Sequence, residues 1–176
     1  MRARTRAPHT PSLLQPRHVV RRLSGVDAVN QPAIAIPNLL YRYAMHFDDG
    51  DLRAAARMFD HGAVVVGGQR IAGADQIVAL WQQWVRLYDG RPRTRHLINN
   101  PIIDLADDGC SAGCLSQWTV IQAAPDYALQ LVASGRYQDR LALIDGAWCF
   151  TERVYLRAEL VGDTRAHLLR QLVEAR

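Results

Sequence analysis

The sequence predicts a single α+β domain shaped as a cone, in which a curved, mainly antiparallel sheet wraps around N-terminal helices and encloses an apolar pocket. Before residue 90, apolar residues recur mostly at helical spacing. After residue 90, four long segments are typical of strands, and tight turns separate them. Helices that precede an antiparallel sheet are typical of the α+β class. Apolar residues make up 49% of the 176 residues, which is enough for one core.

Proline, glycine and aspartate set the boundaries of the predicted elements. Pro32 and Pro37 both suit the first position of a helix. Asp51 is placed to cap a second helix. Asp145-Gly146 is a strong signal for a two-residue hairpin. The predicted segments are, in order, helices at Pro37 to Phe47 and Leu52 to Phe59, a hairpin of Ala63 to Val66 and Gln69 to Ala72, a helix from Gly73 to Tyr88, strands at Thr94 to Leu105, Cys110 to Ala123, Tyr127 to Ile144 and Ala147 to Leu160, and a last helix near Thr164 to Glu174.

The chain is predicted to divide into a tail, the cone and a terminal helix. Residues 1–30 are expected to form a basic, flexible tail, because residues 1–26 hold six arginines and no acid, and three prolines interrupt any long helix. A short helical turn at Arg17 to Leu23 fits within it. Residues 31–162 are expected to form the cone domain, and residues 163–176 the C-terminal helix.

Composition excludes several classes of function. The formal charge is +4, but the chain is nearly neutral outside the tail, which argues against a nucleic-acid partner. All 21 basic residues are arginine, which excludes a Schiff-base or phosphate-loop lysine. Three cysteines without metal spacing indicate reduced thiols and a cytoplasmic protein. No apolar run reaches the length of a membrane span. No three-ligand cluster or glycine-rich dinucleotide fingerprint is present, so neither a metal nor a cofactor is expected.

Two residues half a chain apart form the candidate reactive pair. Asp48 ends the first helix, where the helix dipole disfavours a carboxylate, and His96 lies within a predicted strand. A carboxylate that meets an imidazole fixes its tautomer and raises its basicity, which makes a minimal general base. From the residues alone, a solvated turn for Asp48 and a hydrogen-bonded core position for His96 remain alternatives.

Neighbouring residues are candidates for binding a substrate. Strand alternation puts Asn100 on the same face as His96, and Tyr155 on the same face as Arg153. Trp81 fits the core first and a pocket wall second. A surface position, or a partner for Glu152 or Asp139, is the alternative for Arg153.

Six short stretches, taken in their order and spacing, resemble the SnoaL-like branch of the nuclear transport factor 2-like superfamily over about residues 34–160. Within it, the chain looks closest to the group of scytalone dehydratase, bile-acid dehydratase and hexachlorocyclohexane dehydrochlorinase. The resemblance implies the cone fold and a small-molecule pocket. The stretches are Leu39–Leu52, Met58–Asp60, Ile71–Gly73, Thr94–Asn100, Gly135–Arg140 and Asp145–Arg153.

The resemblance also implies roles for individual residues. Asp48 and His96 match the catalytic pair of that group, Tyr43 matches a tyrosine five residues before the aspartate, and Arg153 matches an arginine that some members use. The chain departs from the pattern on the next strand, where Leu115–Ile121 holds no imidazole or carboxylate. Only Gln117 or Thr119 could position a substrate there, and this departure argues against dehydration with an assisted leaving hydroxyl.

The expected function is therefore a cofactor-free lyase or isomerase acting on a small, mostly apolar molecule such as a polyketide, a steroid or an aromatic compound. The alternatives are a non-catalytic binding or assembly module and the small subunit of an aromatic-ring dioxygenase, because this fold hosts all of them. A homodimer is expected ahead of a trimer. Its interface is predicted on an apolar outer face of the sheet made by Trp118, Val120, Leu129, Leu131 and Val132.

Overall fold

A computed structural model describes residues 31–170, so the predicted tail, its helical turn and residues 171–176 lie outside the described part. The elements follow the predicted order of helices first and long strands afterwards. They are α1 (Pro32–Asp48), α2 (Leu52–Arg57), β1 (Ala63–Val66), β2 (Gln69–Ala72), α3 (Ala74–Trp84), β3 (Thr94–Leu105), β4 (Ser111–Ala124), β5 (Tyr127–Ile144), β6 (Ala147–Tyr155) and β7 (Leu160–Val161).

Helix α1 starts at Pro32, five residues before the predicted start, and it includes Pro37. Proline is favoured at the first position of a helix, since that position has no hydrogen-bond acceptor for its amide. Pro37 lies only one turn further on, so its ring removes a single bond near the helix end, which the buried stripe of the helix outweighs. That stripe faces the sheet and consists of Ile36, Leu40, Tyr43, Ala44 and Phe47.

The sheet is curved and open, with strand order β2-β1-β6-β5-β4-β3, and β7 pairs with β5. Strand β1 is parallel to β6, and the other pairs are antiparallel. Asp51 caps α2 as predicted, because its Oδ1 accepts a hydrogen bond of 2.9 Å from the amide of Ala54. Helix α1 packs across β3 and β6, so its last turn reaches the strand that carries His96. The predicted α+β cone is confirmed.

Two predicted helices are wrong for one physical reason. Helix α3 ends at Trp84 instead of Tyr88, because Val85 is extended and pairs with Leu168. The helix predicted from Thr164 is not formed up to residue 170, where a turn leads into that pairing. The amide of Leu169 donates to the carbonyl of Trp84 at 2.8 Å, so the 162–170 segment takes the acceptor that a longer α3 would have used.

The predicted interface on the sheet divides between its two faces. Trp118, Val120 and Val132 line the interior, whereas Leu129 and Leu131 are exposed. The face named from the sequence is therefore wrong for three of its five residues, because the sequence does not show which side of a strand faces the helices. The homodimer itself stays a prediction.

Replacing Gly135 should destabilise the interior wall. A Cβ atom at this buried position would lie 2.7 Å from the ring of Trp118 and 3.2 Å from the Cα of Ala158. We expect Gly135→Ala to lower the free energy of unfolding by about 1–3 kcal/mol, measured by urea denaturation. Gly113→Ala on the adjacent strand is the matched control, since its Cβ would contact nothing within 4 Å. Equal stability of the two variants would contradict this packing.

Candidate active site

A cavity of about 520 Å³ lies between the helices and the inner face of the sheet. Its wall is mostly aromatic and aliphatic, which suits a small apolar ligand. Trp81 is part of this wall as predicted, and so is Tyr155. The aromatic and imidazole side chains of the wall are Tyr43, Phe47, Trp81, Trp84, His96, Trp118, Tyr137, Tyr155 and His167.

Asp48 is buried at the end of α1 and joins that helix to β3. Its Oδ1 accepts hydrogen bonds from the Thr94 hydroxyl at 2.7 Å, and its Oδ2 accepts one from the backbone amide of His96 at 2.7 Å. The Asp48 Oδ1 also lies 2.6 Å from the Nδ1 of His96. These groups satisfy a carboxylate that the helix dipole alone would destabilise.

The contact between Asp48 and His96 defines the state of the imidazole. Burial alone would raise the pKa of Asp48, but the hydrogen bonds and charge of His96, together with the Thr94 bond, lower it below its ordinary value. Asp48 is therefore a carboxylate at neutral pH, and the shared proton resides on Nδ1. In the neutral form of the imidazole the remaining nitrogen, Nε2, carries a lone pair, and the His96 ring lines the cavity.

Tyr43 is buried one turn before the end of α1, and it also lines the cavity. Its hydroxyl lies 2.8 Å from the hydroxyl of Tyr155. Burial raises the pKa of Tyr43 well above its usual range, so this phenol stays protonated and available as a hydrogen-bond donor. The structure thus brings Tyr43, Tyr155 and His96 to one cavity.

Arg153 lies behind the cavity wall and is not among the lining residues, which corrects its predicted place in the pocket. Its Nε and one terminal nitrogen donate to the two oxygens of Asp139 at 2.8 Å each, and both side chains are fully buried. Burial alone would lower the pKa of Arg153, but Asp139 raises it, so the guanidinium remains charged. The alternative partner considered from the sequence, Asp139, is thus the observed one.

The Arg153 cation is stacked among the aromatic rings that form the wall. Its guanidinium carbon lies 4.4 Å from the ring centre of Tyr43, 4.2 Å from that of Tyr137 and 4.6 Å from that of Phe150. Its charge opposes the rise that burial causes in the pKa of Tyr43. Arg153 therefore contacts the rings of two lining tyrosines, Tyr43 and Tyr137, without lining the cavity itself.

Three residues predicted to bind a substrate lie on the outer face of the sheet. Gln117 and Thr119 are opposite Asn99 and Leu97 in register, so they alternate with the inward-facing Trp118. The register shifts after Asn99, and Asn100, with a φ of 49°, turns outward and donates to Gln117 at 2.9 Å. A β-bulge reverses strand alternation. The structure therefore does not bring these three residues to the cavity.

His167 lines the cavity, and the sequence analysis missed it. Only 8% of this residue is exposed, and its Nδ1 has no hydrogen-bond partner among residues 31–170. Burial, together with the positive charge of a protonated His96, lowers the pKa of His167 from its ordinary 6.5 to about 4, although the carboxylate of Asp48 opposes this shift. The ring is therefore neutral at pH 7. The only signal in the sequence is a histidine between two apolar residues, Ala166 and Leu168.

A further finding concerns metals and membranes within the described range. Residues 31–170 hold no group of three histidine, cysteine or acidic side chains arranged to bind a metal ion. No helix in the same range is long and apolar enough to cross a membrane.

The family of the chain follows from comparison with known proteins. The family model described as a SnoaL-like domain matches residues 34–154, which is more than half of the chain. The chain belongs to the SnoaL-like family. The resemblance found in the sequence is confirmed, and the match covers Asp48, His96, Tyr43 and Arg153 but stops before His167.

Solved structures share the fold of this SnoaL-like chain. A variant of Rv3472, a protein of unknown function from Mycobacterium tuberculosis, is 26% identical with a TM-score of 0.61, covering 77% of this chain and 76% of that one. A protein provisionally assigned as a scytalone dehydratase from Novosphingobium aromaticivorans is 20% identical with a TM-score of 0.60, covering 86% and 98%.

A third structure with this fold is the beta subunit of a provisionally assigned aromatic-ring-hydroxylating dioxygenase from Novosphingobium aromaticivorans. It is 22% identical with a TM-score of 0.55, and the alignment covers 76% of this chain and 93% of that one. No curated protein sequence matches the SnoaL-like chain.

Removing the charge of Arg153 alone should lower the free energy of unfolding more than removing both charges of the Arg153–Asp139 pair. Arg153→Met leaves the buried carboxylate of Asp139 unpaired, and we expect it to lower the free energy of unfolding by about 3–5 kcal/mol. The double variant Arg153→Met with Asp139→Leu should recover most of that loss, because no buried charge is left alone. Urea denaturation of both single variants and the double variant measures the coupling. Additive losses would contradict this arrangement.

The low pKa of His167 should make stability depend on pH. Below pH 6.5 the unfolded chain binds a proton at this histidine, whereas the folded chain does not until about pH 4. The folded state should therefore lose up to about 3 kcal/mol of stability as the pH falls from 6.5 to 4. His167→Phe should lack this slope, and unfolding measured across that range compares the two. Identical slopes would show that His167 is accessible to protons in the folded state.

Proposed function

We propose that this SnoaL-like protein is a cofactor-free lyase or isomerase that removes a proton from a carbon atom of a small, mostly apolar molecule. The observation that supports it is the 2.6 Å contact between Asp48 and the Nδ1 of His96 at the wall of an apolar cavity. This contact leaves Nε2 of His96 as a proton acceptor, and the carboxylate stabilises the imidazolium that forms. A positioned base of this kind contributes roughly 100- to 10,000-fold in rate.

Such a reaction also needs a hydrogen-bond donor that stabilises the negative charge developing on an oxygen of the substrate. The tyrosines supply this donor. Tyr43 and Tyr155 place two bonded hydroxyls at the cavity wall, and the buried cation of Arg153 lies against the ring of Tyr43. Donors that are already oriented in a site shielded from water stabilise an oxyanion without reorganisation. The substrate is therefore a compound with a carbonyl or other polar oxygen next to the reacting carbon.

The size and lining of the cavity favour a cyclic substrate with few charged groups. Its volume of about 520 Å³ and its aromatic wall fit a polyketide, steroid or aromatic compound. The fold shared with the protein assigned as a scytalone dehydratase agrees with this class and, at 20% identity, carries no more than that.

The alternative is a protein that binds a ligand or a partner subunit without chemistry. The fold shared with a dioxygenase beta subunit is the observation that favours it. Binding without chemistry does not explain why a buried carboxylate holds an imidazole at the cavity wall. Proton removal is therefore the better-supported function.

A generic probe of proton removal tests the proposal without knowledge of the natural substrate. The probe 5-nitrobenzisoxazole has one acidic C–H bond, and when a base takes that proton the electron pair forms a nitrile and the N–O bond breaks. The coloured 2-cyano-4-nitrophenolate is released and followed by absorbance. We expect the protein to exceed an equal concentration of free imidazole, and His96→Ala to lose about 100-fold or more.

Two further variants separate the base from the fold. His96→Gln keeps an amide donor for Asp48 but accepts no proton, so it should be as inactive as His96→Ala even where the latter is less stable. His61→Ala changes an exposed histidine and should leave the rate unchanged. Turnover that survives both His96 variants, or a wild-type rate no higher than that of imidazole, would overturn the proposal.

A further inference from the structure

Two imidazoles line the same cavity, and among residues 31–170 only the ring of His96 has a hydrogen-bond partner. His96 is fixed through Nδ1 by Asp48. His167 is 8% exposed, and its Nδ1 has no hydrogen-bond partner among the described residues. A buried polar atom that is left unpaired carries a desolvation penalty, so such an atom beside a ligand cavity calls for an explanation.

The fold holds His167 in place from both sides. The carbonyl of His167 accepts a hydrogen bond of 2.8 Å from the amide of Arg86, and its amide donates to the carbonyl of Thr164 at 3.0 Å. The next residue, Leu168, pairs with Val85. The histidine therefore sits on a fixed piece of backbone and not on a loose end.

Contacts through β3 and β4 link the backbone next to His167 to the Asp48 and His96 pair. Thr94, which donates to Asp48, is the register partner of Gln122 on β4. The side-chain amide of Gln122 donates to the carbonyl of Ala166 at 3.2 Å, directly before His167. The carboxylate of Asp48, and His96 when it is protonated, also act electrostatically on the His167 ring. Both imidazoles therefore belong to one site.

We propose that His167 is a catalytic residue that donates a hydrogen bond from its neutral imidazole to the oxygen of the bound substrate while His96 removes a proton from the neighbouring carbon. The substrate class is thereby narrowed to carbonyl compounds with an acidic C–H next to the carbonyl group, and this inference rests on the proposed function.

The electrons and protons of the step balance within the site. The C–H bond breaks, its proton forms a bond to Nε2 of His96, and the electron pair moves through the new C=C bond onto the carbonyl oxygen. The N–H of His167 stabilises that oxyanion without giving up its proton. The His96 proton then returns to a carbon for isomerisation, or to a leaving group for elimination. A buried histidine with a depressed pKa is suited to this role, because its neutral form donates at pH 7.

Binding of the probe's product tests the donor separately from the base. The phenolate oxygen of 2-cyano-4-nitrophenolate stands in for the oxyanion, and tryptophan fluorescence at pH 7 reports its Kd. We expect His167→Phe to raise the Kd about 10-fold, and His167→Gln, which keeps an N–H donor, to recover most of the affinity. His61→Phe makes the same exchange at an exposed histidine outside the cavity, so it is the matched control and should leave the Kd unchanged. A wild type that binds the phenolate no more tightly than His167→Phe overturns the proposal.

Turnover of 5-nitrobenzisoxazole gives the second readout. His167→Phe should lower kcat about 10- to 100-fold with a smaller change in KM, because the hydrogen bond strengthens as charge develops. A kcat within twofold of the wild type overturns the proposal. If the His96 variants keep full turnover while the His167 variants lose phenolate affinity, the assigned base is wrong and the donor stands.

The wild-type protein provides a readout that needs no variant. With ¹⁵N-labelled histidine, addition of the phenolate should shift the ring nitrogens of His167, whereas those of His61 should stay unchanged. An unperturbed His167 ring in the presence of saturating phenolate overturns the proposal even where His167→Phe fails to fold.

Discussion

The carboxylate of Asp48 is the constraint on which the site depends. It stands at the end of a helix, where the backbone carbonyls repel negative charge, and it is buried. Thr94 and the backbone and ring of His96 compensate it with three hydrogen bonds. These bonds attach α1 to the first residues of β3, so the same contact that closes the cone also orients the imidazole. Structure and chemistry are therefore inseparable at this position.

A second buried charge organises the other side of the cavity. Arg153 and Asp139 form a bidentate pair in the interior, and the rings of Tyr43 and Tyr137 lie against the cation. Such a pair adds little net stability, since desolvation consumes most of the attraction. Its effect is geometric and electrostatic, because it fixes the phenols and opposes the rise of their pKa on burial.

The sequence predicted those site residues that lie in regular helices and strands, and it did not predict those whose position depends on local irregularities of the backbone. His96, Tyr43, Trp81 and Tyr155 lie in regular elements, so helical spacing, strand alternation and family pattern predicted four residues that line one cavity, and Asp48 contacts His96 at its wall. Asn100 failed because a bulge is a local backbone event that alternation cannot reveal. Gln117 and Thr119 failed because a strand with apolar residues on both faces does not show which face is inside.

Other errors came from contacts between distant parts of the chain. The third helix was predicted too long and a helix was predicted at residue 164, because apolar spacing continued past both points. In the structure, backbone pairing between Val85 and Leu168 replaces helix at both points. Local helix propensity does not predict such a long-range contact. Arg153 was placed in the pocket, although the sequence analysis had already considered Asp139 as its partner.

The 162–170 segment has one more consequence, which concerns how this scaffold can diversify. The match to the family ends at residue 154, so it includes Asp48 and His96, whereas some of the cavity wall comes from residues beyond it. Gly162 lets this stretch approach the sheet closely, since a Cβ there would lie 2.4 Å from the carbonyl oxygen of Leu131. Exchange of this short peripheral strip would therefore reshape the cavity wall while leaving the Asp48–His96 contact unchanged.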